Sequence, residues 1–126
     1  KAAEMRQQAQ KNIKLFRSQL VSRATGRATP CVLAVDNKEL RVLDTRSCKS
    51  LDRKTVLSAA KVKARYPLID CLAVTAKKGI ASLLVFKIRK RPLLYLVVQN
   101  SRECIKIVSQ RVKLALAQAR KSSTAG

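Results

Sequence analysis

Lysine and arginine side chains are the groups in this sequence whose types and spacing could do chemistry, and that chemistry is phosphate recognition. Guanidinium groups offer paired hydrogen-bond donors that match phosphate oxygens. These basic residues cluster in short stretches that are expected to be turns or strand ends. The predicted polyanion-binding residues are Lys38, Arg41, Lys61, Lys63, Arg65, Lys77, Lys78, Lys87, Arg89, Lys90 and Arg91.

The overall charge supports the same chemistry. The chain has 126 residues with 28 Lys+Arg against 7 Asp+Glu, a formal net charge of +21. Residues 53–126 contain 17 of these cations but only Asp70 and Glu103 as acids. Such an excess predicts a polyanionic partner, which is an anionic membrane surface, nucleic acid or an acidic protein face.

The sequence contains few residues that could support catalysis. There is no histidine to transfer protons near neutral pH, and three glycines form no phosphate-binding loop. The cysteines lack both a paired C-x-x-C spacing and a histidine base. The sequence therefore predicts no enzyme, no catalytic residue, no metal site and no cofactor.

The cysteines also indicate a compartment. The four are Cys31, Cys48, Cys71 and Cys104. Three of them lie within apolar patterns, where a free thiol behaves as a small hydrophobic side chain. We expect reduced thiols and a cytoplasmic protein, peripheral at a membrane or the cytoskeleton. No apolar run reaches the length of a membrane span. Because the chain starts at Lys1 rather than Met, we expect it to be part of a larger chain or assembly.

The end of the chain predicts the clearest elements that could position these residues. Two apolar runs, 82–88 and 93–98, are separated by the basic turn 89–92 and indicate a β-hairpin. A helix follows from Asn100, which has Glu103 three residues later as in a capping box. One stripe of this helix is apolar to about Ala119, so it must pack on the sheet.

The start of the chain predicts an amphipathic helix over 2–22. Its apolar residues recur at spacings of three and four, and they are Met5, Ala9, Ile13, Phe16 and Leu20. Such a helix would pack on the domain, lie on a membrane or bind a partner.

The middle of the chain reads mainly as strands. Strands 31–35 and 40–43 are joined by the turn 36–39, and a third, weakly signalled strand covers 49–57. Residues 53–66 fit a short helix or a long basic strand equally well. A further strand covers 68–74, and a turn lies at 77–79.

These elements predict a mainly β fold of the α+β class. It would be a small antiparallel barrel or sandwich of six or seven strands, capped by the C-terminal helix. The domain boundaries are an N-terminal helix at 1–22, the folded domain at 23–120 and a flexible tail at 121–126. Turns at one end of such a sheet are expected to bring the basic residues into one cationic rim.

The order of elements resembles the pleckstrin-homology superfold. The stretch Cys31 to Thr45 is similar to the first hairpin of phosphotyrosine-binding-like domains, and the helix Ser101 to Ala119 is similar to their closing helix. The stretch Tyr66 to Val74, with Leu83 to Ile88, resembles the tail-homology domain of class-I myosins. The resemblance implies a phosphoinositide loop at 36–39, where Lys38 and Arg41 are the candidates.

The combined prediction is a non-catalytic docking module. Its basic loops would bind an anionic or phosphoinositide membrane, or an acidic cytoskeletal protein. Two alternatives stay open. One is a structural RNA-binding protein of a ribonucleoprotein such as a ribosome, and the other is an adaptor that accepts a peptide as an extra strand beside the C-terminal helix.

Overall fold

Seven β-strands and two α-helices make up the part of the chain that is described. A computed structural model describes residues 13–22, 24–46, 48–50, 52–77 and 79–125. The strands are β1 Lys14–Val21, β2 Ala28–Val35, β3 Glu39–Asp44, β4 Lys61–Pro67, β5 Cys71–Lys77, β6 Ile80–Ile88 and β7 Leu94–Val98. The α-helices are α1 Arg53–Ala59 and α2 Ser101–Ala125. A 3₁₀ turn, Leu68–Asp70, lies between β4 and β5.

All seven strands belong to one antiparallel sheet with the order β4-β3-β2-β1-β7-β6-β5. Strand β1 pairs with β2 along its whole length and also with β7 over residues 18–20. Within the described ranges no ladder joins β4 to β5, so the sheet folds over as a sandwich and does not close into a barrel. The predicted mainly β fold with a C-terminal helix is confirmed, with seven strands.

The core lies between the two halves of the folded sheet. Alternate residues of each strand point inward, as the two-residue period of a strand requires. The largest fully buried side chains of this core include Phe86, Leu33, Leu40, Leu84 and Leu96. Helix α2 closes one side of it through Cys104 and Val108, which are both fully buried. No helix within the described ranges is long and apolar enough to cross a bilayer.

The outer face of β1, β2 and β3 is covered by the short helix α1. Val56 of this helix packs on a second apolar cluster whose other buried members are Ile13, Val32, Ala34 and Leu43. Strand β2 is consequently buried on both faces from Cys31 to Val35.

Asp52 begins helix α1 by accepting a hydrogen bond from the backbone N–H of Thr55 at 3.1 Å. The side chain of Asp52 also accepts hydrogen bonds from the hydroxyls of Ser50 and Thr55. Hydrogen bonds from Ser50 and Thr55 lower the pKa of the Asp52 carboxyl to about 2, so this cap is ionised at neutral pH.

The predicted N-terminal helix is wrong where the chain can be described, because residues 14–21 form strand β1. Residues 1–12 lie outside the described part of the chain. The error has a physical reason. Phe16 and Leu20 face the core, while Ile13 and Leu15 pack beneath α1 on the opposite face. Apolar residues on both faces of a strand hide its alternation and imitate a helical stripe.

Three other predicted segments differ from the structure. The weak strand at 49–57 is replaced by a loop and by α1, and the undecided segment 53–66 divides into α1 and β4. Helix α2 continues to Ala125, so its backbone enters the segment 121–126 that was predicted to be a flexible tail. The tail prediction followed from composition, and serine and threonine are tolerated in a helix that has already been nucleated.

The two-layer packing predicts that core truncation is far more costly than surface truncation. We expect Leu33→Ala to lower the free energy of unfolding by about 2–5 kcal/mol, because Leu33 is fully buried and its removal leaves a cavity. The matched control is Leu114→Ala on α2, which is 61% exposed and should change it by less than about 0.5 kcal/mol. Urea denaturation measures both, and equal losses would contradict the packing described here.

Candidate functional site

Strand register brings three connections to the same end of the sandwich. Val21 pairs with Ala28, which places the β1/β2 loop, residues 22–27, at that end. Asp44 pairs with both Cys31 and Lys61, so β3 ends and β4 begins there as well. Leu20 pairs with Leu96, and the β6/β7 turn, residues 89–93, therefore extends past the end of β1. We call this region the basic end.

Six exposed cations occupy the basic end in addition to Arg46. They come from the β1/β2 loop, the start of β4 and the β6/β7 turn, and they are Arg27, Lys61, Lys63, Arg89, Lys90 and Arg91. Two carboxylates adjoin this region within the described ranges, those of Asp44 and Asp70. Asp44 is held by Arg46, and Asp70, whose backbone carbonyl accepts from the N–H of Arg89 at 2.8 Å, is half-buried.

Arg46 holds Asp44 through a bidentate contact. Its Nη2 lies 2.7 Å and its Nε 3.0 Å from Oδ2 of Asp44. These hydrogen bonds lower the pKa of the Asp44 carboxyl to about 2, and the charge of Lys63 adds a smaller effect in the same direction. Asp44 thus neutralises Arg46, and the remaining charged groups of the basic end are the six exposed cations and the half-buried Asp70.

The β6/β7 turn has a defined conformation. Lys90 has a φ of 60°, which is in the left-handed region that favours glycine. The guanidinium carbon of Arg91 lies 5.6 Å from the centre of the Tyr66 ring, so the turn reaches across to the C-terminal end of β4, next to Arg65. Leu93, next to these cations, is 36% exposed. The turn therefore combines three charges with one exposed apolar side chain.

Three of the predicted residues lie at the opposite end of β3 and β4 or close to it. Arg41 makes ion pairs with Asp36 at 3.6 Å and with Glu39 at 3.7 Å, and Arg65 lies 3.7 Å from Glu39. Lys38 is exposed in the β2/β3 turn, where its N–H donates to Asp36 at 2.7 Å. These acids offset the local charge, so this region offers a partner less net charge than the basic end.

The remaining predicted residues are distributed elsewhere. Lys77 ends β5 on the side of the sheet opposite the β6/β7 turn. Lys87 is exposed on β6, one residue before Ile88, and Lys78 lies outside the described part of the chain. The register thus places Lys61 and Lys63 beside Asp44 at the start of β4, whereas the β6/β7 turn contacts Tyr66 and Asp70 beyond the other end of that strand, so the predicted residues do not all lie on one rim.

Sequence reasoning missed Arg27 and Arg46 as neighbours of this site. Arg27 follows Gly26, whose φ of 71° fits a tight loop between two strands. That signal was hidden because 2–22 was read as a helix. The first loop of the sheet is accordingly 22–27, and the turn at 36–39, to which the resemblance assigned that role, is the second.

The cysteines are poor candidates for chemistry. All four are free thiols, and Cys31, Cys71 and Cys104 are buried. Burial raises the pKa of Cys31 to about 11 and that of Cys104 to about 12, and it also raises the pKa of Cys71. These three groups stay protonated at neutral pH and are weak nucleophiles. Within the described ranges no cluster of three His, Cys, Asp or Glu side chains could hold a metal ion.

Comparison with solved structures identifies the fold. The solution structure of the N-terminal PH domain of human ARAP2 matches with a TM-score of 0.58 and 12% identity, covering 81% of this chain and 80% of that domain. The Slm1 PH domain in complex with inositol-4-phosphate matches with a TM-score of 0.54 and 14% identity, covering 82% and 93%. A second Slm1 PH structure gives 0.55 and 13%, covering 81% and 96%.

These matches establish that the chain has the pleckstrin-homology superfold, as its order of elements predicted. Protein-family models and curated protein sequences give no match to the chain. At such low identity the solved structures define the fold alone, and the function has to be argued from the site.

The Arg46 contact predicts how the stability of the protein depends on pH. The pKa of Asp44 in the folded protein, about 2, lies below its ordinary value of about 3.9. The pair therefore stabilises the fold fully above about pH 4, and this contribution is lost as pH falls towards 2. We expect Asp44→Asn to lower the urea midpoint at pH 6 and to match the unmodified protein near pH 2. A difference that is independent of pH would refute the assignment.

Proposed function

We propose that this chain is a non-catalytic docking module that binds the anionic surface of a membrane through the basic end. The observation that carries this proposal is the group of six exposed cations at one end of the sandwich, where Arg46 occupies the Asp44 carboxylate. On β3 and β4, in contrast, Arg41 and Arg65 are offset by Asp36 and Glu39.

The strength expected from such a site fits reversible docking. Each Lys or Arg near an anionic lipid surface contributes about 1 kcal/mol. Six cations acting together would supply about 6 kcal/mol, which corresponds to a dissociation constant of about 40 µM. Such binding would be sensitive to salt, because exposed charges are screened within about 10 Å at 0.1 M ionic strength.

The β6/β7 turn supports a membrane in preference to nucleic acid. Leu93 and Pro92 are exposed directly after three consecutive cations, and an apolar side chain at that place can enter the interfacial region of a bilayer. Phe16 and Phe86 are buried, and Tyr66 and Tyr95 are half-buried. All four aromatic residues of the chain are thus poorly placed to stack on bases, which disfavours recognition of single-stranded RNA.

The left-handed backbone conformation of Lys90 also supports the proposed membrane site. Lysine in this conformation costs about 1 kcal/mol relative to glycine, so stability alone does not favour it at this turn.

The Slm1 PH domain, which shares the fold, has been crystallised with inositol-4-phosphate, a ligand of the phosphate class proposed here. An acidic filament lattice is the second surface that this charge would suit, and it is an arm of the test below.

The peptide-adaptor alternative ranks lower. A peptide could add only to β5 or β4, the edges of the sheet, and β5 is the edge beside α2. The register of β5 shifts between Cys71 and Ala73 and again between Ala76 and Lys77, which leaves a short regular stretch. Bulges of this kind blunt an edge against strand addition.

A substitution at Lys90 separates binding from stability. We expect Lys90→Gly to weaken binding to anionic vesicles about fivefold, the effect of one charge. The free energy of unfolding should stay unchanged or rise by up to about 1 kcal/mol, since glycine relieves the left-handed backbone. Lys106→Gln removes one exposed charge from α2 and serves as the control. Vesicle sedimentation and urea denaturation measure the two effects, and equal binding losses in both variants would contradict a localised site.

A charge-matched pair of triple variants tests the surface itself. Arg89→Gln/Lys90→Gln/Arg91→Gln should reduce binding to phosphatidylserine and phosphoinositide vesicles about 100-fold. Lys77→Gln/Lys106→Gln/Lys113→Gln removes the same charge away from the basic end and should have a much smaller effect. Neutral vesicles, structured RNA and acidic filaments are measured in parallel at matched salt. Tighter binding to RNA or filaments than to anionic vesicles would overturn the membrane proposal.

A further inference from the structure

The outer face of strands β6 and β7 is apolar, although these strands already bury their other face in the core. Leu84 and Phe86 of β6 and Leu96 of β7 are fully buried in the core cluster. Because side chains alternate along a strand, the residues between them point outward. Those half-buried residues are Leu83 and Val85 on β6 and Tyr95 and Val97 on β7.

Strand register makes these side chains one continuous strip. Leu83 pairs with Val97 across the β6/β7 ladder, and Val85 pairs with Tyr95. Strand β1 continues the same face on the other side of β7, and its outward residue Val21 extends the strip. We call these five residues the outer strip.

Strand β2 shows how this fold treats a strand that is apolar on both faces. Its outer face is covered by α1, which packs Val56 against it. The two α-helices of the described ranges do not cover the outer strip in this way, because α1 lies over β1 to β3 and α2 packs into the core through Cys104 and Val108. None of the five strip residues belongs to either apolar cluster. Since the solvent face of an antiparallel sheet is normally polar, the strip indicates a surface that a partner covers.

Cations flank the outer strip. Lys87 lies two residues after Val85 on β6, and Arg17 lies four residues before Val21 on β1, so both side chains share the face of the strip. Both are exposed, and neither makes an ion pair with an acid of the described ranges. Strands β1, β6 and β7 contain no acid. The charge that complements this face is therefore negative.

The two cations are separated by the length of a short helix. Arg17 lies beside Gln99, since its carbonyl accepts the N–H of Gln99 at 3.1 Å. Lys87 is level with Leu93, at the other end of β7. The six-residue step from Leu93 to Gln99 is about 20 Å along a strand, and a helix of about 14 residues spans the same distance.

We propose that the outer strip docks an amphipathic helix of a partner protein, which has an apolar stripe of about four turns and acidic residues near both ends. The stripe would pack on the strip as α1 packs on the outer face of β2, and the acids would pair with Arg17 and Lys87. Half-buried side chains form a flat surface, which suits a helix better than insertion into a bilayer. A second copy of this chain is disfavoured as the occupant, because each copy carries a net charge of +21.

Backbone NMR of the full chain tests this site with a defined probe. The probe is a helical peptide of about 18 residues that has a leucine stripe and a pair of glutamates at each end, and its twin has lysine in place of glutamate. We expect chemical-shift changes centred on the amides of Leu83, Val85 and Val97. The lysine twin should bind about tenfold more weakly, because it meets Arg17 and Lys87 with like charge.

A pair of threonine substitutions tests the apolar part of the strip. Val85→Thr/Val97→Thr keeps the shape of both side chains and their preference for strands but makes them polar. We expect it to weaken binding of the acidic peptide about tenfold, with the urea midpoint close to that of the unmodified protein. Val62→Thr is the matched control, because Val62 is 39% exposed on β4, away from the strip. Every cation of the basic end stays in place, so loss of helix binding and loss of vesicle binding can be told apart.

A charge-matched pair of double variants tests the flanking cations. Arg17→Gln/Lys87→Gln should weaken binding of the acidic peptide about tenfold. Lys106→Gln/Lys113→Gln removes the same charge from α2 and should have a much smaller effect.

Several results would overturn the proposed helix site. They are shift changes centred on residues 89–91, equal binding of the two peptides, or unchanged peptide binding by Val85→Thr/Val97→Thr. Weaker binding of that variant to phosphatidylserine vesicles would show that the strip contacts a membrane instead. A dimer in solution that the same variant abolishes would replace the partner helix with a second copy of the chain.

Discussion

The double pairing of strand β1 is the constraint on which the rest of this structure depends. β1 hydrogen-bonds to β2 along its whole length and to β7 over residues 18–20. These ladders join the first four strands to the last three in one sheet. The end of β1 thereby fixes where the β1/β2 loop meets the β6/β7 turn. The basic end exists because two distant parts of the chain share this one strand.

Strand β2 is buried on both faces, and the burial of its apolar side chains stabilises the sheet to which β1 is paired. Leu33 and Val35 face the core, while Val32 and Ala34 lie beneath α1. The connection between β3 and β4 is long because it has to supply the helix that covers the outer face.

Segments with local signals were predictable, and segments that depend on distant partners were not. The β6/β7 hairpin and α2 were found because an apolar pattern, a turn and a cap lie within forty residues of one another. Strand β1 was missed because its outer apolar residues are explained only by α1, about forty positions later. Arg27 was missed with it, since a loop cannot be located before its flanking strands are known. Arg41 and Arg65 were selected for their charge, but the carboxylate of Glu39 that offsets them is recognisable only from the strand register.

Carboxylates therefore decide where this strongly cationic chain can present charge. Five of the seven acids precede residue 53, and among them Asp36, Glu39 and Asp44 lie on or beside β3. Asp36 and Glu39 offset the charge of Arg41 near the start of β3. Asp44, at the C-terminal end of β3, is held by Arg46. The β6/β7 turn has only Asp70 beside it among the acids of the described ranges, because residues 53–126 contain just two acids. The register of β3 thus decides which cations of this basic chain lie beside an acid, and the cations without such a neighbour are the ones that we propose to face an anionic surface.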